Sequence, residues 1–375
     1  MATAETPDLA ARADAAACSV TRAFGKRLFF LPGTHLGASF RPHNGLQAFL
    51  QPWNYWWQAH YVDCLVDTGR RELATGVRFD GASRPSAGCL ASRLLTAIWL
   101  RNRLRFENDY FDDMAWLALA TLRLDHLAAA TGKPGRRRNA KVRENLTRQF
   151  DSASTGDLGG GTFWNTARDF KNTPATAPVA LYYARTGGRG QAQGLLDWLN
   201  ARLLDPEAGL YQDGLRIHGA DTVLVTDIYT YNQGPVLGAM LELGGEENLR
   251  RAVALIEAVA RRLTLNGTTP EQTTVLSCHG DGDGGLFTGI LLRYLALAAA
   301  DARLPQHAKD AARAMVLETA AAFWNGRTET APGIHVFSSN PLRPAGQTYP
   351  PGSAVELSTQ LQAWMALEAA ASLTR

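Results

Sequence analysis

Apolar positions along the chain recur with a helical period, and two kinds of segment alternate. In the segment from Glu247, Leu249, Val253, Ile256, Ala260 and Leu263 follow the i, i+3/i+4 spacing, with Arg250, Arg251, Arg261 and Arg262 off the stripe. This pattern predicts a helix with one face in water. GLFTGILLRYLALAAA from Gly285 is apolar nearly all round apart from Arg293, and so is DDMAWLALATLRL from Asp112 once past its opening carboxylates. A helix without a polar face must be covered on every side. Strand-like alternation is scarce.

About twelve helices are expected, beginning near residues 10, 54, 88, 110, 139, 174, 191, 231, 246, 286, 306 and 354. The fully apolar ones open near Asn54, Asp112, Asn172, Asn232, Phe287 and Ser353, roughly 60 residues apart, so each interval holds one helical hairpin. Six hairpins closed into a circle bury every inner helix. The expectation is therefore an all-α fold, an (α/α)6 toroid forming one domain over residues 1–375. An open solenoid would need polar caps at its terminal repeats, and neither end of the chain has one.

Composition agrees with a packed globule: 46% of the 375 residues are hydrophobic and 19% charged. A formal charge of +3 with scattered basic residues gives no nucleic-acid footprint. The densest basic run, Arg136-Arg137-Arg138 beside Pro134 and Gly135, reads as a solvated loop. Four cysteines (Cys18, Cys64, Cys89 and Cys278) sit far apart without a CxxC pair, which suits buried reduced thiols. No charge-free apolar run reaches the roughly 18 residues of a membrane span, so no membrane partner is expected. Asp8, Arg12 and Asp14 interrupt any leader-like core, which places the chain as given in the cytoplasm, or outside the cell if a leader has been removed. The expected state is a monomer.

Polar and aromatic residues cluster at the openings of the buried helices: WNYWWQAH from Trp53, NDYFDD from Asn108, Trp164-Asn165 with Arg168-Asp169-Phe170-Lys171-Asn172, YTYNQG from Tyr229, and HGDGDGG from His279. In a toroid the inner helices begin at one mouth, so these clusters would line a single funnel. Trp and Tyr faces stack on pyranose rings while amides and carboxylates bond hydroxyls. The substrate-binding candidates are Trp56, Trp57, Gln58, His60, Asn108, Trp164, Asp169, Lys171, Asn172, Tyr231, Asn232, Gln233, Asp283 and Phe287. Trp56, Trp57 and Trp164 are the candidate stacking platforms.

Asp112 and Asp113 stand out. As caps they would gain about 0.3–1 kcal/mol each from the helix dipole, yet they repel one another in front of a buried segment, a cost that tends to mark function. Neighbouring Cα atoms are about 3.8 Å apart and successive helical side chains diverge by about 100°. Their carboxyls can then stand about 5–6 Å apart, the separation of retaining glycosidases rather than inverting ones. One Asp would attack the anomeric carbon. The other, its pKa raised by burial and by the first charge, would protonate the leaving oxygen and later activate water.

HGDGDGG lacks the closing Glu of a calcium loop, and Ser277-Cys278-His279 lacks triad geometry. No dinucleotide or phosphate loop is present. Neither a metal nor a cofactor is expected.

WNYWWQAH, YFDDMAWLALA, GGGTFWNTARDFKN, TYNQGPVLGAM and GLFTGILLRYL, in this order from about Trp53 to the final helix, resemble glycoside hydrolase family 76, the endo-α-1,6-mannanases. The resemblance implies an (α/α)6 fold and retaining cleavage of α-1,6-linked mannose, in polymers or oligosaccharides, with Asp112 as nucleophile and Asp113 as acid/base. Many relatives carry Lys where this chain has Thr288, so a substrate contact is expected to differ there. Many are also secreted, in contrast to the missing leader. The rival expectations are a transglycosidase on mannose-containing glycans, a non-catalytic carbohydrate-binding toroid, and an epimerase using paired histidines, for which only His60 and His279 are near the mouth.

Overall fold

The computed structural model describes residues 8–42, 53–133, 137–265 and 274–374. Twelve long helices run through these residues: α1 Leu9–Phe24, α2 Tyr55–Thr75, α3 Ala87–Arg101, α4 Phe111–Ala130, α5 Arg137–Ala153, α6 Thr173–Thr186, α7 Arg189–Arg202, α8 Thr230–Leu243, α9 Glu246–Arg262, α10 Gly284–Ala300, α11 Gln306–Asn325 and α12 Leu357–Ser372. Each begins within three residues of its expected start. The protein is mostly helical.

Burial alternates as the two kinds of sequence require. Helices α2, α4, α6, α8, α10 and α12 are buried along nearly their whole length. Their partners show one face to water. In α9 the buried line passes through Ala252, Leu255, Ile256 and Val259, while Leu249, Val253 and Ala260 are half-buried, so the covered face is turned one position from the expected stripe. The even-numbered helices pack in cyclic order: α2 on α4, α4 on α6, α6 on α8, α8 on α10, α10 on α12, and α12 back on α2. Each odd-numbered helix lies against this inner set, α1 chiefly against α12.

Close approach demands small residues. A Cβ on Gly289 of α10 would sit 2.9 Å from the backbone of Gln362 on α12, so only glycine lets these helices meet. The seam between α1, α2 and α12 is closed by ion pairs. Arg71 on α2 bonds Glu368 on α12 at 2.7 Å and Asp14 on α1. Farther along the inner helices, Asp63 and Asp67 on α2 hold Arg123 of α4 and Arg293 of α10. This cluster lines a cavity of about 470 Å³ to which all six inner helices contribute.

The connections carry short strands that the periodicity did not reveal. Phe170–Asn172, Gly214–His218 and Asp221–Val225 form a three-stranded antiparallel sheet. The basic run also differs from expectation: Arg137 and Arg138 open α5, and Arg138 donates to Thr96 Oγ1 at 2.6 Å and to the Ser92 carbonyl at 3.2 Å. Pro134, Gly135 and Arg136 lie outside the described residues. Of the cysteines only Cys64 is fully buried; Cys18, Cys89 and Cys278 are half-buried thiols.

Candidate active site

A cleft of about 680 Å³ opens where α2, α4, α6, α8 and α10 begin. Asp112 and Asp113 open α4 after Tyr110, and the next residues, Met114 to Leu122, are buried. Because the helix starts here, the two carboxyls leave it toward the cleft. The Phe111 N–H donates to the Trp164 carbonyl at 2.8 Å, and the Thr166 N–H to the Asp109 carbonyl at 2.9 Å. These bonds tie the loop around Trp164 to the opening of α4.

The two carboxyls have different partners. Asp112 accepts from Trp164 Nε1 at 3.0 Å on Oδ2 and from the Asp113 N–H at 2.9 Å on Oδ1. Asp113 accepts one bond, from Asn108 Nδ2 at 2.7 Å. Burial raises both pKa values above the ordinary carboxylate range. The hydrogen bonds partly offset the rise at Asp112, whereas the neighbouring Asp112 charge lifts Asp113 further. Asp112, with two donors to the one of Asp113, is the better furnished of the pair to hold a negative charge.

Aromatic rings form the walls. Tyr231 stacks on Phe287 with centroids 3.9 Å apart and planes at 14°, and Trp56 closes against both. Trp164 packs beside Tyr110 at 5.1 Å. Asp283 joins the wall to the core, because Trp56 Nε1 and Trp57 Nε1 both donate to its Oδ1 at 2.9 Å. Asn172 lines the cleft while capping α6, its Oδ1 accepting from the Ala175 N–H at 3.1 Å.

Of the residues singled out in the sequence, the cleft brings together Asp112, Asp113, Trp56, Asn108, Trp164, Asn172, Tyr231, Asp283 and Phe287. Seven others do not line it. Trp57 is core. Gln58 is buried and bonds both backbone groups of Gly37. His60 is sealed between Trp56 and Trp116, its nitrogens have no partner among the described residues, and burial lowers its pKa to about 3. That removes one of the two histidines an epimerase would need.

Lys171 points away from the cleft. Its Nζ donates to the carbonyls of Thr155, Asp157, Gly160 and Gly161 and to Thr155 Oγ1, within 2.8–3.1 Å, fixing the turn before Trp164. Asp169 pairs with Arg216 at 3.2 Å beside the mouth. Asn232 is buried and reaches Asp213 at 3.4 Å, while Gln233 is buried and holds the Tyr211 backbone. Thr288 is likewise buried, donating to the Ser277 carbonyl at 2.7 Å, so the position where relatives differ is no cleft contact.

Four lining residues were not anticipated: Asn102, Trp116, Asp213 and Arg216. Trp116 lay within a segment read as wholly core. Asp213 and Arg216 come from the three-stranded sheet. Burial first, then the Asp227 charge, raises Asp213 to about 6. The alternation of GLRIH and DTVLV about the two-residue Gly219-Ala220 turn was the available hairpin signal.

Among curated proteins none matches the chain. Solved structures do. The α-1,6-mannanase GH76A of Salegentibacter sp. HEL1_6 is 28% identical with a TM-score of 0.80, over 98% of this chain and 100% of that one. An inactive variant of it, with two adjacent aspartates changed to asparagine and α-1,6-mannotriose bound, is 27% identical, with the same TM-score and coverage. Dfg5 from Chaetomium thermophilum, in complex with glucosamine, shares the fold at 17% identity and a TM-score of 0.67, over 99% of this chain and 91% of that one. The model of glycosyl hydrolase family 76 matches residues 39–375, and the chain belongs to that family.

Proposed function

We propose that this glycoside hydrolase cleaves α-1,6-linked mannose chains with retention of configuration, with Asp112 as nucleophile and Asp113 as acid/base. One observation carries the reading: two adjacent carboxyls share a mouth, and Asp112 accepts two hydrogen bonds where Asp113 accepts one. Asp113 protonates the glycosidic oxygen as Asp112 attacks the anomeric carbon and the leaving chain departs. Asp113, now ionised, takes a proton from water, and that water displaces Asp112 and regenerates the acid. The Trp164 and Asp113 N–H donors orient the attacking carboxylate. The wall of Trp56, Tyr231 and Phe287 offers apolar surface to sugar rings. The mannotriose complex of a 27% identical relative supports the choice of sugar and linkage.

The same reading makes the chain one (α/α)6 toroid and one domain. The cyclic packing of the even-numbered helices supports it.

The test is to incubate the protein with linear α-1,6-mannooligosaccharides, size the products, and follow the anomer first released by proton NMR. The expected result is shorter mannose chains whose new reducing end is born α. A β anomer would overturn retention, and uncut substrate would overturn the activity. An added acceptor separates hydrolysis from transfer.

A further inference from the structure

Strain, exposed apolar side chains and uncompensated positive charge coincide beside the cleft. Six non-glycine residues among those described have a left-handed backbone, and four of them lie in two short segments: Phe29 (φ 47°) with Phe30 (φ 61°), and Arg103 (φ 58°) with Leu104 (φ 62°). For side chains of this size the conformation is unfavourable and persists only where surroundings enforce it. Here it turns apolar groups outward: Phe29 is 58% exposed, Phe30 79% and Leu104 57%, with Leu31 exposed as well.

The two segments belong to one face. The His35 N–H donates to the Arg93 carbonyl on α3 at 3.3 Å, which holds the turn carrying Phe29 and Phe30 against that helix. Leu104 follows directly on α3, its N–H donating to the Trp99 carbonyl at 2.8 Å. Lys26 sits close enough to Arg101 for that charge, after burial, to help lower its pKa. The face also reaches the cleft, because Arg101 lies 5.6 Å over the Trp53 ring and Asn102 lines the mouth.

The charge has one sign. No acidic residue occurs between Asp14 and Asp63, or between Asp80 and Glu107, whereas these two stretches hold nine basic ones. Arg22 and Arg84 pair with Asp80. Arg27, Arg103 and Arg105 are exposed and flank the apolar tips in the sequence.

We propose that Phe29, Phe30, Leu31 and Leu104, ringed by Arg27, Arg103 and Arg105, form a docking face for the surface of an anionic lipid bilayer. Apolar tips enter the interfacial layer while guanidinium groups meet lipid phosphates. Phenylalanine and leucine offer a neutral polysaccharide no hydrogen bonds, and a neutral glycan forms no ion pair with the arginines. A lipid surface uses both. This contact needs no spanning helix, and no described helix is long and apolar enough to be one. It departs from the expectation of no membrane partner, which considered only spans. The inference stands independently of the proposed reaction.

Sedimentation with vesicles of phosphatidylcholine alone, or mixed with phosphatidylglycerol, tests it. The protein is expected to pellet with the mixed vesicles at least about tenfold more than with phosphatidylcholine, and to be released by raised salt. The double variant Phe29→Gly/Phe30→Gly removes the tips and relieves the backbone, so it should lose binding without a lower Tm. Arg103→Glu/Arg105→Glu should lose binding with the apolar tips intact. Both should cleave a soluble mannooligosaccharide as the wild type does. No binding to anionic vesicles, equal binding to both kinds, or wild-type binding by the glycine variant would each overturn the proposal. Self-association that disappears with the phenylalanines, without vesicle binding, would overturn it in favour of a second copy of this chain.

Discussion

Asp63 and Asp67 on α2 and Asp112 and Asp113 on α4 are two pairs of carboxyls on neighbouring helices, shifted in opposite directions. The first pair lies deep in the ring and faces Arg123 and Arg293, whose charges outweigh the cost of burial and hold Asp63 down at about 2. The second lies at the mouth with amide and indole donors and, among the described residues, no ion pair to a guanidinium, and burial raises both members. Burial is common to the two pairs. The presence or absence of a cation decides whether a buried acid becomes a fixed strut or a reagent that can exchange a proton.

The largest expected effect removes the mouth pair. Asp112→Asn should cut turnover roughly 10³-fold or more on every substrate. Asp113→Asn should do so for poor leaving groups while an activated aryl mannoside still forms the glycosyl-enzyme. Azide should then restore turnover and give the α-mannosyl azide. Near wild-type rates for both variants would reduce the pair to a helix cap.

Breaking the deep pair should act on stability instead. Arg293→Met leaves Asp63 and Asp67 undercompensated and should cost about 3–5 kcal/mol in denaturant unfolding, with activity per folded molecule unchanged. A smaller loss than from a surface arginine would remove the distinction between the pairs.

Next in size is the pH dependence of unfolding. The mouth carboxyls have folded pKa values above the ordinary 3.8, so the folded state binds protons more tightly, and the stability they contribute is lost as pH rises toward about 7. Replacing either by Asn should therefore raise stability at neutral pH by on the order of 1–3 kcal/mol, and the gain should vanish near pH 4. The deep pair runs the other way: its contribution is present above 3.8 and is lost as pH falls toward about 2. Urea melts of each variant across this range separate the two.

The smallest effect concerns Asn108, whose bond favours the charged form of Asp113. Asn108→Ala should move the alkaline limb of the kcat/KM profile upward by less than about one pH unit. A downward shift would mean that the limb belongs to another group.

The helices were legible because burial on all sides leaves a plain mark: apart from Arg123 and Arg293, α4 and α10 are apolar nearly all round past their openings. The acid pair was legible for the opposite reason, since charge in front of MAWLALA has no packing explanation. The polar residues beside it were less so. Lys171 and Gln233 have the chemistry of sugar ligands, but their groups are used up on backbone carbonyls and N–H groups. Nothing in their spacing separates these uses. Asp213 and Arg216 reach the cleft only through pairing of Asn172 with Gly214, a contact between segments some forty residues apart.

The cyclic packing also bears on how the chain is made. Of the twelve helices α1 is synthesised before the others, yet its main cover is α12, the last of the twelve, and the Arg71 clasp needs both. At about 5–20 residues per second, the intervening chain takes roughly 15–70 s to emerge from a ribosome. Throughout that interval α1, with Ala13, Ala16, Val20 and Phe24 on its buried face, lacks its main cover. The last interface can form only once α12 has emerged.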